Sequence, residues 1–517
     1  VSDTEESAGR RRGRARGSGE RNRLPEQAPF RQPQMRYPYT TIASTEEIEA
    51  IHEASLRVLE EIGMEFLDPE ARSIMRDAGA AVDERAMRVR LPRELVERAI
   101  ATAPSEFTLH SWNPAHDVRI GGPYIVFSTV GSAPHYIDRD GVRRTGDRPG
   151  FQDLLKLAQM LNTVHYVGGY PVEPVDIHAR IRHLEAGYDI LTLTDKGFHC
   201  YSLGRDRNRD CLEMVRIARG IDMATMQRQP SLITIVNTNS PLRLDTPMSQ
   251  GMIEFALHNQ PVVVTPFTLA GAMAPITLAG ALAQQNAEAL AGITLVQLVN
   301  PGAPVMYGGF TSNVDMQSGA PAFGTPEYVK TSIISGQLCR RYGFPYRASN
   351  ACAANALDAQ AAYESVFSLW GTVMGGVNFM MHAAGWMEGG LHASLDKMLL
   401  DADLLQMVAA ILDPPVIDDT TIPIDTIAEV GPGGHFFGTA HTQERFRDAF
   451  YRPLISDWRN YETWVEAGCP TAEQRAHALV DRFLDAYEPP PMDPEIKAEL
   501  RSFVDRRVAD GGVATDF

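Results

Sequence analysis

Chemistry-bearing side chains are concentrated in Phe379-Met380-Met381-His382-Ala383-Ala384-Gly385-Trp386-Met387-Glu388-Gly389-Gly390. An apolar run ends on an imidazole, then passes an indole and a carboxylate into a glycine turn. His382 is therefore expected as a ligand-facing donor or proton relay, and Glu388 as an acid, a base or a counter-charge. The alternative for His382 is a satisfied histidine at a structural rim. Asp358 heads a helical stretch and is expected to cap it. Further aromatics and amides end other short apolar runs: Tyr170, Asn237, Phe267, Tyr307, Phe310, Asn313 and Asn350. Together with Trp386, such ring faces suit a quaternary ammonium, at about 2 kcal/mol each when desolvated. The same rings serve equally as packing beneath helices. Lys and Arg are scarce at these positions, which argues against a phosphorylated substrate. No G-x-S-x-G, H-E-x-x-H or Walker pattern occurs, so hydrolase, zincin and nucleotide readings lack their signatures.

These residues need a scaffold that brings distant run ends together. Eight short apolar runs supply it: Tyr124 to Ser128, His165 to Tyr170, His199 to Leu203, Leu232 to Asn237, Val262 to Phe267, Pro304 to Gly309, Pro345 to Asn350 and Phe379 to Ala384. Their starts lie about 30 to 42 residues apart, with helix-period segments between, which is the spacing of a (β/α)8 TIM barrel. An open doubly wound sheet uses the same units, but the first turn has no G-x-G-x-x-G and eight strands suit closure. In such a barrel the active site lies at the C-terminal mouth, where the run ends collect. The expected organisation is an Arg-rich disordered tail (1–40), an N-terminal helical cap (41–120), the barrel (121–412), a C-terminal helical region (413–490) and an exposed end (491–517).

Composition narrows the function class. The net charge is −17, yet residues 1–36 hold nine Arg against five acids, so a +4 tail precedes a body of −21. Such an acidic body argues against nucleic acid as the main partner. No apolar run approaches the roughly 18 to 20 residues of a spanning helix. The five cysteines, Cys200, Cys211, Cys339, Cys352 and Cys469, form no C-x-x-C pair. They read as free thiols in a reducing compartment, so the expectation is a cytoplasmic protein without a structural metal. The lysines Lys156, Lys196, Lys330, Lys397 and Lys497 all fall away from the run ends, which disfavours a Schiff-base lyase.

Four ordered segments resemble the trimethylamine methyltransferase family and its homologues acting on quaternary amines. They are Asp315-Met316-Gln317-Ser318-Gly319-Ala320-Pro321, Asp358 through Ser365, His382 through Leu391, and Gly431-Pro432-Gly433-Gly434-His435-Phe436-Phe437-Gly438-Thr439-Ala440-His441-Thr442, within a resemblance spanning about residues 40–485. The resemblance implies transfer of a methyl group to Co(I) of a corrinoid (cobalamin) carried by a separate, cognate corrinoid protein, with no tightly bound cofactor in this chain. Gly309, Asn313, Gly385 and Gly389 are the positions expected to face that corrinoid. Family members that demethylate trimethylamine carry pyrrolysine, which aligns near Asn355 to Leu357, where ordinary residues stand here. The implied substrate is therefore a quaternary amine such as glycine betaine, whose nitrogen leaves as a neutral amine. A homo-oligomer is expected. The competing readings are a non-catalytic quaternary-amine sensor and a TIM-barrel lyase built on His382 or Glu388.

Overall fold

The computed structural model describes residues 24–514. Eight parallel strands close into a barrel in sequential order: β1 (Val126–Thr129), β2 (Tyr166–Val167), β3 (Gly197–Tyr201), β4 (Ile233–Val236), β5 (Val262–Val264), β6 (Val305–Gly308), β7 (Tyr346–Ser349) and β8 (Phe379–Ala384), with β8 returning to pair β1. Six lie within their expected runs, while β1 extends one residue past Ser128 and β3 starts two residues before His199. Helices α1 (Arg148–Met160), α2 (Arg182–Leu193), α3 (Arg205–Arg219), α4 (Thr246–Leu257), α5 (Leu278–Val299), α6 (Pro326–Tyr342), α7 (Ala359–Gly375) and α8 (Leu395–Ile411) follow strands β1 to β8 in turn. Their starts are written locally. Asp147, Asp245, Thr325, Asp358 and Ser394 each accept a backbone N–H of the first turn, satisfying donors that a helix start leaves free. The architecture is a (β/α)8 TIM barrel.

Strand parity separates two sets of side chains, because successive residues point to opposite faces. Val126, Tyr166, Ile233, Val263, Met306, Phe379 and Met381 form one cluster inside the barrel, joined by Leu109, Val118 and Ile120. The last three come from a hairpin, Glu106–Leu109 with Val118–Gly121, that packs against this interior. Residues of the other parity face the helices. Tyr346 donates to the Ser332 carbonyl of α6 at 2.9 Å, and Tyr307 donates to Asn286 of α5 at 3.1 Å. Helix α5 is buried along nearly all its sides because the helices Thr45–Arg57 and Arg93–Ile100 cover its outer face.

Three expected segments differ. The 41–120 cap contains its three helices, but it also holds short strands, Met64–Phe66, Ala81–Asp83 and Arg88–Arg90, which form a sheet with Arg243–Leu244. These strands are too short for alternation to register. Of the expected tail, residues 1–23 lie outside the described residues, whereas 24–40 run along the barrel. Met35 is buried, Gln27 donates to the Met160 carbonyl at 2.8 Å and Arg31 pairs with Asp413. The expected exposed end contains a helix, Pro494–Ala509, that buries Leu500, Phe503 and Val504 against α2 and α3. Arg501 pairs with Glu185 at 2.9 Å and Arg507 with Asp210 at 2.8 Å. Its i, i+3, i+4 apolar face and the Asp493-Pro494 start signal lie just past the proline run. Among the described residues no helix is long and apolar enough to cross a membrane.

Candidate active site at the barrel mouth

A cavity of about 340 Å³ opens at the C-terminal ends of the strands, within the size range of small-molecule sites. Its wall begins with two rings in register. Phe267 and Phe310 start paired parallel strands, Phe267–Ala270 and Phe310–Val314, that continue past β5 and β6 as a separate rim sheet. Their ring centroids are 5.0 Å apart, and Phe310 is backed by Phe323, stacked at 5.6 Å. Trp386 closes this side, 6.4 Å from Phe310 and 4.0 Å from the His382 ring. Tyr201 and His199, on alternate positions of β3, form the opposite wall with ring centroids 4.6 Å apart. Half-exposed Leu203 and Leu391 flank the opening.

The β8 backbone is bent to aim His382 and Trp386. Pairing with β1 slips between Met380 and Ala384, and His382 itself has φ 58°. A non-glycine residue held in the left-handed region is strained, and such strain gathers at ligand sites. Gly385, at φ 96°, then reverses the chain, and its N–H donates to Asp401 at 2.8 Å. The turn sends Trp386 back over the cavity, antiparallel to His392–Ser394.

The electrostatics are unusual for a polar pocket, because no Asp or Glu lines it. Arg347 of β7 does. Its side chain points into the barrel and is 2% exposed; its guanidinium carbon is 5.2 Å from the Phe310 centroid, and Nε and Nη1 have no hydrogen-bond partner. Burial pulls its pKa down to about 10, so it remains charged near neutral pH. The indole Nε1 of Trp386 and Nδ1 of His199 are likewise buried without partners. Burial, then the Arg347 charge, hold His382 well below the usual imidazole range, and burial is the main cause bringing His199 to about 3. Both rings are neutral at physiological pH. His382 Nδ1 shares a 3.1 Å hydrogen bond with the Ser349 hydroxyl.

The expected site residues divide by parity. Asn237, Phe267, Phe310, His382, Trp386 and Gly389 line the cavity. Tyr307 does not; it sits beside inward Met306 and faces α5. Gly309 likewise faces outward, since a Cβ there would meet Ser335 and Tyr346. Gly385 faces α8, where its Cβ would meet Met398. Tyr170 lies behind Tyr201, at 4.8 Å between ring centroids. Asn350 donates to the Ala383 carbonyl at 3.1 Å, and Asn313 accepts from Thr325 at 3.2 Å. Glu388 is held outside the cavity by Arg143 at 2.9 Å and His392 at 3.0 Å. The expectation of a mouth poor in basic groups is corrected by Arg347. Its signal was a charged residue inside the otherwise apolar run Tyr346-Arg347-Ala348. His199, also missed, starts an expected run rather than ending one.

Another cavity, of about 490 Å³, lies at the other end of the barrel between residues 26–33, α8 and Arg447–Arg452. It is remote from the strand ends that carry the site. Among the described residues no group of three or more His, Cys, Asp or Glu is placed to hold a metal ion.

A family model described as Trimethylamine methyltransferase (MTTB) matches residues 9–512. A glycine betaine methyltransferase of Desulfitobacterium hafniense (strain Y51) is 37% identical over 92% of this chain and 98% of its own length. The trimethylamine methyltransferase MttB of Desulfitobacterium hafniense (strain DSM 10664 / DCB-2) is 30% identical over 91% and 95%. MttB1 of Methanosarcina mazei is 29% identical over 90% and 94%.

Proposed function

The chain belongs to the trimethylamine methyltransferase family and is a methyltransferase for methylated amines; from this premise we propose that it takes a methyl group from a quaternary amine such as glycine betaine and delivers it to a corrinoid carried by a partner protein. The observation that carries the reading is the mouth cavity, which faces its ligand with Phe267, Phe310, Trp386 and Tyr201 and contains neutral histidines. Ring faces hold a quaternary nitrogen by their quadrupoles and need no counter-carboxylate. Transfer from such a nitrogen breaks one N–CH3 bond, and the bonding pair stays on nitrogen. The amine leaves neutral, so no proton has to be supplied, which agrees with imidazoles that burial keeps unprotonated. The relative with the glycine betaine name supports the same substrate class.

The corrinoid, when bound, supplies a strongly nucleophilic cobalt. What this chain contributes is a cavity open at Gly389, Gly390, Leu203 and Leu391, where a planar group on another protein has access to the substrate methyl. Phe267, Phe310 and Trp386 hold the nitrogen so that one methyl points outward, and their apolar surfaces exclude water. Orientation of this kind is the main catalytic resource when little acid or base chemistry is needed. A lyase using Glu388 or a Schiff-base lysine finds neither in the cavity wall, where Glu388 is instead held by Arg143 and His392. Lys196 precedes β3 at the opposite end, and Lys397 is bound to Asp401 at 2.5 Å.

The test is methyl transfer from a panel of quaternary amines and trimethylamine to reduced cobalamin, followed by the methyl-Co(III) spectrum. Transfer from a quaternary amine is expected. Turnover of trimethylamine alone would overturn the proposal.

A further inference from the structure

Arg347 is a charged group that the fold leaves open. A buried guanidinium normally carries carboxylate or carbonyl partners, because removing an ion from water without compensation is costly. Here Nε and Nη1 have neither. The nearby indole N–H of Trp386 is a second donor without an acceptor, and the cavity wall contains no Asp or Glu to receive either. The unpaired groups at the mouth thus include donors that only an incoming acceptor can satisfy.

The aromatic wall adds a second requirement. If it receives a quaternary nitrogen, that cation comes to rest near the Arg347 charge, which is itself 5.2 Å from the Phe310 ring centre. A simple cation, such as tetramethylammonium or choline, would meet repulsion that only the ring faces offset. A ligand carrying both charges removes the conflict. Its nitrogen meets the rings while its anion satisfies the guanidinium, and the short distance from ring to guanidinium suits two charges held close together.

Resting on the reading of this cavity as a quaternary-amine site, we propose that Arg347, assisted by the Trp386 indole N–H, binds a substrate carboxylate, so that the enzyme selects zwitterionic betaines over simple quaternary cations. Arg347 is the specificity-determining residue, and its geometry favours bidentate capture of a planar carboxylate.

Calorimetry with the full-length protein tests this using glycine betaine, choline, tetramethylammonium and 3,3-dimethylbutanoate, the uncharged-carbon analogue of glycine betaine that keeps only the carboxylate. Wild type is expected to bind glycine betaine about 10- to 100-fold more tightly than choline or tetramethylammonium, the range for a charge-assisted hydrogen-bonded contact. Arg347→Gln should bring glycine betaine down to the choline level and abolish 3,3-dimethylbutanoate binding. Arg347→Lys, which keeps charge without the fork, should restore part of the preference. Equal binding of glycine betaine and choline by wild type overturns the Arg347 assignment and leaves the quaternary-amine reading standing. That comparison needs no variant, so it holds even if Arg347→Gln does not fold. A folded Arg347→Gln protein with the wild-type preference also overturns the assignment. Binding of 3,3-dimethylbutanoate alone supports an anion site at Arg347 and defeats the quaternary-amine reading, and binding of none of the four defeats both.

Discussion

Two buried cations mark opposite ends of the barrel, and the fold treats them differently. Lys196, just before β3, gives hydrogen bonds to the Ala158 and Leu161 carbonyls at 2.6 and 2.8 Å. Its neighbour His165 is also complete: Nδ1 accepts the Phe127 N–H at 3.0 Å and Nε2 faces the Arg31 carbonyl at 3.1 Å, which fixes the proton on Nε2. At the mouth, Arg347, His199 and Trp386 are as deeply buried but keep polar atoms without partners. Burial has the same physical effect at both ends, pulling Lys196 to about 7 and Arg347 to about 10. What distinguishes them is whether the chain itself supplies the acceptors. Groups closed by their own backbone serve stability, whereas groups left open are available to a ligand.

The largest expected effect tests what the two ends share. His165 and His199 are each lowered by burial to about 3, and His382 is also depressed. Their folded pKa values lie below the unfolded value, so each is neutral when folded and takes up a proton on unfolding. Their contribution is fully present above pH about 6.5 and is lost as pH falls below it, toward about 3 for His165 and His199, at up to about 1.4 kcal/mol per pH unit for each histidine. Urea unfolding across that window should show the loss, and His199→Gln should reduce the slope by one proton. A pH-independent midpoint would contradict the burial argument.

Next in size is Lys196→Met. It removes the hydrogen bonds to the Ala158 and Leu161 carbonyls, of which the second keeps the Val164 N–H as donor, and should cost about 1 to 3 kcal/mol of stability. Ligand preference at the far end of the barrel should stay as in wild type. A shift in glycine betaine affinity comparable to that of a mouth variant would erase the division between the ends.

Trp386→Leu probes the open end without touching a charge. Losing one ring face, and with it the indole N–H that assists Arg347, should weaken glycine betaine binding by at least about 1 to 2 kcal/mol, roughly 5- to 30-fold. Calorimetry reads the affinity and circular dichroism confirms the fold. Unchanged affinity would mean that the indole contacts neither the nitrogen nor the carboxylate.

The smallest effect on folding is expected from Arg347→Met. Removing an uncompensated buried charge should leave stability unchanged or raise it by about 1 kcal/mol, in contrast to Lys196→Met. Thermal unfolding distinguishes the cases, and a large loss would show that Arg347 serves the fold as Lys196 does.

The sequence alone determined the repeat. Eight apolar runs, their spacing and the caps before the helices specify a closed barrel, because strand burial and helix initiation are written in neighbouring residues. It also placed Phe267, Phe310, His382 and Trp386 at run ends, where the mouth must lie. Which side of a strand each residue occupies was beyond it at several positions. Tyr307 and Met306 are adjacent and both apolar, and only strand pairing turns one inward and the other toward α5. Glu388 and His382 lie six residues apart, yet the bulge and glycine turn between them put one outside the cavity and the other in its wall. Arg347 shows the limit most clearly. Its charge in an apolar strand was visible, but that its guanidinium lacks a carboxylate depends on side chains from β3, β8 and the rim sheet converging around it, and that convergence exists only once the barrel has closed.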